Sequence, residues 1–406
     1  MKKLLELGEH YVSDFLNESD LYENKQKYSL DLYLDSEINA PKLKTSAPLD
    51  SMYGKYWYRS GINTSMTNQL RDIVNQICSR TKFKKDDIWL DIACNDGTLL
   101  KNVPNEFIKL GIDPADNSYY QESSKVATVV QDYFSEETYK RTGYGDKKCK
   151  VITIISMFYD IENPVPVIKD LYKILDDDGL LVLQMSYTPL MINQLAFDNI
   201  CHEHIYYYSL TSIKKLFNNN GFNVVDCELN DTNGGSFRIY FQKNTANKST
   251  FGSAPLRDVC NFRIESILSV ENEKYDISSE DIWSDFGNKL NQLKEKTVSF
   301  IREEKNKGKK IYGYGASTKG NTLLQYFGLD HTLIDAIAER SPYKFGLKTV
   351  GTNIPIISEE EMRAKNPDYL LILPWHFIDE FEMRESEFIK KGGKLIVPCP
   401  VFKIVG

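Results

Sequence analysis

The sequence predicts an α/β protein with two open, mostly parallel sheets in separate domains and a small module at the N-terminal end. Its 406 residues exceed the size of one ordinary domain. Strand-like apolar runs alternate with helical patterns over about 69–245 and again over about 309–401, which is typical of parallel sheets covered by helices. Residues 1–68 are polar with little periodicity, so we expect an irregular module that wraps on its neighbour.

The first α/β stretch opens with a predicted helix at about 67–81, where apolar residues recur at helical spacing. Apolar runs then predict five strands, at 88–93, 107–113, 127–131, 151–156 and 180–186, with helices between them such as 166–175. After a helix at 212–220, two further strand-like runs flank NDTNGG. We expect these two runs to form an antiparallel hairpin that closes one edge of the sheet.

The second α/β stretch follows a segment, 246–280, that has the composition of a linker with some helix. A long amphipathic helix is predicted at about 282–306, and short strands then follow at helix-sized separations, in KIYGYGAS, LIDAIAE, YLLILPW and KLIVPCP. We therefore expect three domains: an N-terminal module at 1–68, an α/β domain at 69–245, and a Rossmann-like α/β domain with its linker helices at 246–406.

The net charge and the cysteine content limit which partners the chain can bind and which redox compartment it suits. The formal charge is −7, so the chain carries no basic footprint for nucleic acid or an anionic membrane. Its seven cysteines include no CxxC pair, which argues against a zinc ribbon and favours a reducing cytoplasm. We expect a cytoplasmic enzyme with a small-molecule substrate and no metal, and the sequence leaves a homo-oligomer open.

A strand–turn–helix segment, LDIACNDGTLL, predicts a nucleoside-binding turn. Ligands of open parallel sheets bind at the carboxyl ends of the strands, and an acid at the end of the second strand holds ribose hydroxyls. The first two positions of a GxGxxG fingerprint are here Ala93 and Asn95, which disfavours a dinucleotide and favours S-adenosylmethionine, a ligand without phosphates. The candidate cofactor residues of this segment and of the next two strand ends are Asp91, Ala93, Asn95, Asp96, Asp113 and Asp132.

The segment Cys201-His202-Glu203-His204 is the candidate catalytic centre. Histidine is the side chain best matched to proton transfer near neutral pH, and Glu203 is placed to orient or stabilise an imidazole. Adjacent residues rarely face one metal ion, and HExxH is absent, so a metal site is disfavoured. Histidines that only hydrogen-bond at a domain interface are the structural alternative.

Two loops supply candidates for binding the acceptor. Asn233, Ser236 and Arg238 lie at the turn of the predicted hairpin, which is either a plain hairpin or a pocket wall. The loop GYGASTKG resembles half of a dinucleotide fingerprint, and Ser317 and Lys319 there suit a nucleotide diphosphate. Trp375 follows a strand and either stacks on a base or fills the core.

Several motifs together, in order, resemble the sugar C-methyltransferase family, whose best-described members are the NDP-4-keto-deoxysugar 3-C-methyltransferases. The similarity runs from about Leu5 to the C-terminus and rests on the strings FYDIENP, CHEHIYYYSL, NGGSFR, GYGASTKGNTLL, IPIISEEE and GGKLIVPCP. The resemblance implies an N-terminal zinc module, a class I S-adenosylmethionine methyltransferase domain and a C-terminal Rossmann-like domain, with the nucleotide sugar bound between the last two.

The resemblance also implies site residues and a mechanism. YWYRSGINTSM is similar to the segment that closes over the cofactor in the family, which implies cofactor contacts by Tyr56, Tyr58 and Ser60. In the family mechanism a histidine removes the hydrogen on C3 beside a 4-keto group, and the enolate carbon attacks the sulfonium methyl. The motif carries the role of base to His204, with Glu203 and Tyr207 as its catalytic neighbours and His202 on the side of the substrate.

Two departures from the family pattern affect what is carried over. Where the family has zinc cysteines this chain has LDLYLDSEINAPKL, so we expect a degenerate module without structural zinc. Cys201 stands where the antibiotic-pathway enzymes tend to have a tyrosine, so that help with proton transfer is either lost or supplied by Tyr206, Tyr207 or Tyr208.

Three other functions stay open on the sequence. The same cofactor serves an O-methyltransferase, in which the histidine deprotonates a hydroxyl. The loop at 313–320 also suits NAD, as in a dehydrogenase or a sugar-nucleotide-binding protein. A non-catalytic partner protein is the third alternative, and Asp91, Asp113 and His204 argue against it.

Overall fold

A computed structural model describes residues 2–17, 25–48, 58–62, 64–247 and 251–406. The N-terminal region contains short strands, where the sequence predicts an irregular module. They are β1 (Lys2–Leu5), β2 (Glu9–Tyr11), β3 (Phe15–Leu16), β4 (Lys27–Ser29), β5 (Leu32–Asp35) and β6 (Ala40–Leu43). Strands β1, β5 and β6 form an antiparallel sheet, and β2 pairs with β4. Strands this short show too few alternations to be recognised from periodicity alone.

The middle region is a seven-stranded sheet in the order β12-β13-β11-β10-β7-β8-β9. Its strands are β7 (Ile88–Ile92), β8 (Ile108–Ile112), β9 (Thr128–Val130), β10 (Cys149–Ile155), β11 (Leu175–Ser186), β12 (Phe222–Asn230) and β13 (Ser236–Lys243). Strand β13 runs antiparallel to both β11 and β12, so the predicted hairpin at the sheet edge is confirmed. The five predicted parallel strands are confirmed as well, and this sheet is that of the class I methyltransferase fold.

Helices cover both faces of this sheet. They are α1 (Thr64–Arg80), α2 (Thr98–Asn102), α3 (Asn117–Ser123), α4 (Glu136–Tyr139), α5 (Pro164–Ile174), α6 (Thr188–Asn193) and α7 (Leu210–Asn218). The apolar stripe of α1, Leu70, Ile73, Val74 and Ile77, is buried against Trp89 of β7, as its helical spacing predicts.

The segment predicted as a linker with some helix is mostly one helix, α8 (Ala254–Lys274), which is longer than the sequence indicates. Arg263 of α8 pairs with the buried carboxylate of Asp226 on β12 at 2.7 Å. A helix held by polar contacts to a sheet edge lacks the apolar stripe by which helices are recognised. Helix α9 (Glu280–Asn306) follows, close to its predicted bounds.

The C-terminal region is a six-stranded sheet in the order β17-β15-β14-β18-β19-β20, in which only β20 is antiparallel to its described neighbour. Its strands, and the short β16 outside it, are β14 (Ile311–Tyr314), β15 (Ile337–Glu339), β16 (Lys348–Thr349), β17 (Ile356–Ser358), β18 (Tyr369–Ile372), β19 (Lys394–Val397) and β20 (Lys403–Val405). Its helices are α10 (Thr318–Phe327), α11 (Glu359–Ala364), α12 (Ile378–Arg384) and α13 (Ser386–Lys390). The predicted second Rossmann-like unit is confirmed.

The segment that follows β11 packs into one apolar core with the C-terminal domain and the N-terminal module. Phe197, in the loop beyond α6, stacks on Phe327 of α10 with ring centroids 5.2 Å apart. Loops that follow the carboxyl ends of β11, β14 and β18 therefore meet in this core. Within the described part of the chain, no helix is both long enough and apolar enough to cross a membrane.

Candidate active site

The turn after β7 has the backbone of a nucleoside-binding site. Ala93 and Asn95 adopt left-handed φ angles of 61° and 51°. The Asp113 carboxylate, at the end of β8, accepts the Asn95 amide at 2.7 Å on one oxygen and the Ala115 amide at 2.7 Å on the other. Each oxygen keeps a further lone pair that can accept a hydrogen bond from a ribose hydroxyl, so this carboxylate fits the ribose of S-adenosylmethionine.

A short segment covers this turn. The side chain of Asn95 accepts the Ser60 amide at 3.1 Å and donates to the Tyr58 carbonyl at 3.1 Å, and the Asp96 carboxylate accepts the Gly61 amide at 2.8 Å. The structure therefore brings Tyr58 and Ser60 to the turn that the sequence assigns to the cofactor. Tyr56, the third candidate of that segment, lies outside the described residues.

Two other cofactor candidates lie apart from the Asp113 carboxylate. Asp91 is buried within the sheet and accepts a hydrogen bond from Thr153 Oγ1 at 2.7 Å, and burial raises its pKa to about 7. Asp132 pairs with Arg141 at the surface, and that hydrogen bond lowers its pKa. Asp91 is thus a buried residue of β7, just before the turn, and Asp132 is a partly exposed residue just after β9.

His204 lies in the junction between the two sheets and is buried. Its Nδ1 is 2.7 Å from the carbonyl oxygen of Asn199, and its ring packs on Tyr159 with centroids 4.1 Å apart. A carbonyl only accepts hydrogen bonds, so Nδ1 carries the proton and Nε2 carries the lone pair. Burial, reinforced by the nearby Lys319 ammonium, lowers the pKa of His204 to about 3. The imidazole is therefore neutral at pH 7, with its free lone pair on Nε2.

The neighbours of His204 in the motif have other contacts. The Glu203 carboxyl lies 3.5 Å from Cys201 Sγ, and among the described residues it makes no hydrogen bond to His204. The Tyr207 hydroxyl donates to the His204 carbonyl at 3.0 Å and so fixes the turn. His202 Nε2 is 3.1 Å from the Tyr28 carbonyl, which ties the motif to the N-terminal module.

Lys319, at the start of α10, enters the same junction from the C-terminal domain. Its ammonium donates to Asn199 Oδ1 at 2.5 Å and makes a longer contact, 3.4 Å, with the Asn233 carbonyl. Burial lowers its pKa, and the carboxyls of Asp198 and Glu203 oppose that shift. The half-buried Lys319 ammonium therefore links the GYGASTKG loop to the hairpin turn and, through Asn199, to His204.

Trp375 and the hairpin turn form another wall of this junction. The indole Nε1 donates to Asp198 Oδ2 at 3.1 Å, and a Cβ built on Gly234 would lie 3.7 Å from the indole ring. Asn233 and Gly234 both have left-handed φ angles, 52° and 83°, which turns the Asn233 carbonyl toward Lys319. The turn therefore contacts the C-terminal domain as well as joining the two strands of the hairpin.

The remaining substrate candidates make contacts within their own domains. Arg238 is buried on the sheet, where it donates to Gln184 Oε1 at 2.9 Å and pairs with Asp72 at 3.0 Å. Ser236 donates to the Thr232 carbonyl at 2.9 Å within the turn. Ser317 caps α10 by accepting the Gly320 amide at 2.9 Å. The structure does not bring Arg238 or Ser236 to Lys319.

Sequence reasoning did not single out Asp198, Asn199 or Tyr159. Asn199 links the two halves of the site, because its backbone carbonyl holds His204 and its side-chain oxygen holds Lys319. Tyr159 lies inside the string FYDIENP, and Asp198 and Asn199 lie just before Cys201-His202-Glu203-His204, so their proximity to those motifs is the signal that could have marked them. No cluster of His, Cys, Asp and Glu suited to a metal ion is found in the described residues, and the absence of structural zinc stays a prediction.

Two family models match the chain. Residues 62–226 match the model described as "Methyltransferase domain", and residues 231–400 match the model described as "C-methyltransferase C-terminal domain". The curated C-methyltransferase NovU from Streptomyces niveus is 26% identical over 357 residues, which are 88% of this chain and 82% of NovU. These matches confirm the resemblance that the motifs indicate.

Similar solved structures cover less than half of this chain. One is an S-adenosylmethionine-dependent methyltransferase from Clostridium acetobutylicum, with 13% identity, a TM-score of 0.34, and 44% of this chain and 92% of that chain covered. Another is the N-methyltransferase NodS from Bradyrhizobium japonicum, with 12% identity, a TM-score of 0.33, and 44% and 94% covered.

Proposed function

We propose that this chain, an S-adenosylmethionine-dependent C-methyltransferase, methylates C3 of a nucleotide-linked 4-keto-deoxysugar with His204 as the base. The observation that carries the proposal is the neutral, buried His204, whose Nδ1 is fixed on the Asn199 carbonyl so that Nε2 is the basic atom. Methylation at carbon needs a carbanion equivalent, and a base that faces a carbonyl-activated C–H bond generates it.

The cofactor is assigned to the turn after β7. Bound there, S-adenosylmethionine supplies an electrophilic methyl group on a sulfonium. Asp113 accepts the ribose hydroxyls, the left-handed turn at Ala93 and Asn95 brings the backbone close to the ligand, and Tyr58 and Ser60 cover it. Two observations support this assignment: the free lone pairs of the Asp113 carboxylate, and the segment at Tyr58 and Ser60 that is hydrogen-bonded to Asn95.

The acceptor is assigned to the junction between the two sheets. Its walls come from both domains: His204 and the Asn233 turn on one side, and Lys319 and Trp375 on the other. The loop from Ser317 to Lys319 lies beside the junction and is suited to the nucleotide part of the substrate. Held there, the sugar has C3 toward Nε2 of His204.

The chemistry then proceeds in two steps. His204 removes the C3 proton, and the electron pair of the C–H bond moves into the C3–C4 bond to give an enolate. The enolate carbon then takes the methyl group, and the sugar regains its ketone. Holding the acceptor in line with the donor is itself a large contribution to the rate.

The test is hydrogen exchange at C3 in D₂O with nucleoside diphosphate 4-keto-deoxyhexoses and no S-adenosylmethionine. We expect the wild-type chain to exchange C3–H, and His204→Ala to lose exchange and methyl transfer by ~10²–10⁴-fold, the usual contribution of a general base. Calorimetry with S-adenosylhomocysteine should give the same affinity for both proteins. Methyl transfer without exchange would contradict the enolate and indicate transfer to oxygen.

A further inference from the structure

We propose that Lys319 is a catalytic residue that donates a hydrogen bond to the C4 carbonyl oxygen of the acceptor and stabilises the enolate. This inference rests on the proposed function and adds the side chain that stabilises the negative charge of the enolate oxygen. The Lys319 ammonium lies in the same junction as His204, and both side chains make a hydrogen bond to Asn199. Enolate formation requires a base for the C–H bond and a hydrogen-bond donor for the oxygen, held in fixed positions relative to each other.

The hydrogen bonds of Lys319 leave it a donor to spare. An ammonium has three N–H groups. One donates to Asn199 Oδ1 at 2.5 Å and a second makes the 3.4 Å contact to the Asn233 carbonyl. The described residues provide no partner for the third, which a ketone oxygen in the junction would accept.

The tyrosines that might replace the family tyrosine at Cys201 are less suited to this role. The Tyr206 hydroxyl donates to Asp35 at 2.9 Å, and the Tyr207 hydroxyl donates to the His204 carbonyl at 3.0 Å. The Tyr208 hydroxyl has no partner in the described structure, but its ring is stacked on Tyr206 in the core of the methyltransferase sheet. Among these candidates, Lys319 is therefore the one with a free N–H group that is also held by Asn199, the residue that holds His204.

Burial lowers the pKa of the Lys319 ammonium, and its attraction to Asp198 and Glu203 opposes that shift. The titratable groups that act on it or are acted on by it are Asp198, Cys201, Glu203, His204 and His376. Asp198 is buried, and its Oδ1 has no hydrogen-bond partner among the described residues. Burial raises the pKa of this carboxyl, the Lys319 ammonium opposes that shift, and Trp375 holds the carboxyl in place through Oδ2.

Enolate formation involves only His204, Lys319 and the acceptor. The C3–H bond breaks, the proton goes to His204 Nε2, and the bonding pair becomes the C3–C4 double bond as the C4–O π pair moves to oxygen. Lys319 neutralises that oxygen without giving up its proton. When the carbon takes the methyl group, the bond between that methyl and the sulfur of the donor breaks, the pair stays on sulfur, and the C4=O bond re-forms.

The experiment compares Lys319→Met, Lys319→Arg and the wild type by C3–H exchange and by methyl transfer to the same 4-keto-deoxyhexoses. We expect Lys319→Met to lower both rates by ~10²–10³-fold, as for removal of one oxyanion donor. Affinity for S-adenosylhomocysteine and KM for the acceptor should change less than threefold. Lys319→Arg should recover part of the exchange rate, because it keeps the charge. Lys305→Met, a lysine paired with Asp335 in the same domain, is the matched control.

The outcomes separate this proposal from the proposed function. Exchange by Lys319→Met within threefold of the wild type would overturn the role of Lys319 and leave His204 as the base. A lower melting temperature and weaker S-adenosylhomocysteine binding, with exchange per folded molecule unchanged, would make Lys319 a structural link between the domains. No exchange by the wild-type chain on any of the acceptors would refute both proposals.

Discussion

At the scale of single residues, burial sets the protonation state of the site. His204 and Glu203 are adjacent in sequence, yet burial moves their pKa values in opposite directions, to about 3 and about 7. In both cases the neutral form is favoured, because a low-dielectric site penalises charge. Burial lowers the pKa of the neighbouring Lys319 ammonium for the same reason.

The raised pKa of Glu203 has a consequence for stability. Its carboxyl titrates near 4.5 when unfolded and near 7 when folded, because burial disfavours the carboxylate. Its protonated form thus favours the fold below pH 4.5, and that contribution is lost as the pH rises through 7. Glu203→Gln cannot ionise, so we expect it to be more stable than the wild type at pH 8 and to lose most of this advantage at pH 5.

The measurement is the free energy of unfolding of both proteins across that pH range. One pKa unit corresponds to about 1.4 kcal/mol, so a difference of ~1–3 kcal/mol between the two ends is expected. Glu265→Gln, on the exposed face of α8, is the control and should show no trend. A pH-independent difference between Glu203→Gln and the wild type would contradict the assigned shift.

At the scale of elements, α8 is a structural brace between the hairpin edge and the loop that leads to the site. Its Glu271 is buried, and its carboxylate accepts the Tyr187 hydroxyl at 2.6 Å and the Leu210 and Thr211 amides at 2.6 and 2.8 Å. Those amides lie in the first turn of α7, where a negative charge is favourable. The helix thus fixes the chain just after the HEH motif.

Substitution of Glu271 by Ala should therefore destabilise the protein. It leaves buried amides without acceptors, at a cost of ~2–4 kcal/mol, and thermal unfolding should show a melting temperature lower by several degrees. Glu265→Ala on the exposed face of the same helix should change the melting temperature by less than a degree or two. An unchanged midpoint for Glu271→Ala would show that α8 docks without this carboxylate.

At the scale of the whole molecule, the N-terminal module is joined to the C-terminal domain by backbone and side-chain contacts. Strand β3 pairs with β16, and Phe15 within it is buried. Gln325 of α10 accepts the Tyr11 amide at 2.9 Å and donates to the Tyr11 carbonyl at 3.1 Å. The Ser13 hydroxyl donates to the Thr318 carbonyl at 2.8 Å, one residue before Lys319. The module thus supports the helix that carries the proposed oxyanion donor.

These contacts predict a module that needs no metal to stay docked. The purified chain should contain less than a tenth of an equivalent of zinc, and EDTA should leave its melting temperature unchanged, since a structural zinc site contributes ~10 kcal/mol or more to folding. Metal analysis and thermal unfolding with and without the chelator are the measurements. Stoichiometric zinc, or a midpoint that falls in EDTA, would refute the prediction.

Much of the fold follows from local patterns. The strands from β7 to β13, the helix α1, the long helix α9 and the second α/β unit were predicted because periodicity and turn residues act over a few neighbours. The short strands of the N-terminal module and the full length of helix α8 were not, because their contacts are too few or too polar to leave a periodic trace. Their positions depend on partners far along the chain.

The sequence by itself determined which residue types carry the chemistry: an acid after each of two strands, a histidine pair, and a lysine in a glycine-rich loop. Only the tertiary structure decided their partners. It joins Lys319 to Asn199 across 120 residues, and it withdraws Arg238 into the sheet beside Asp72 and Gln184. The reason is physical: the packing of two sheets at their carboxyl ends selects which polar side chains share a buried space, and no local pattern encodes that packing.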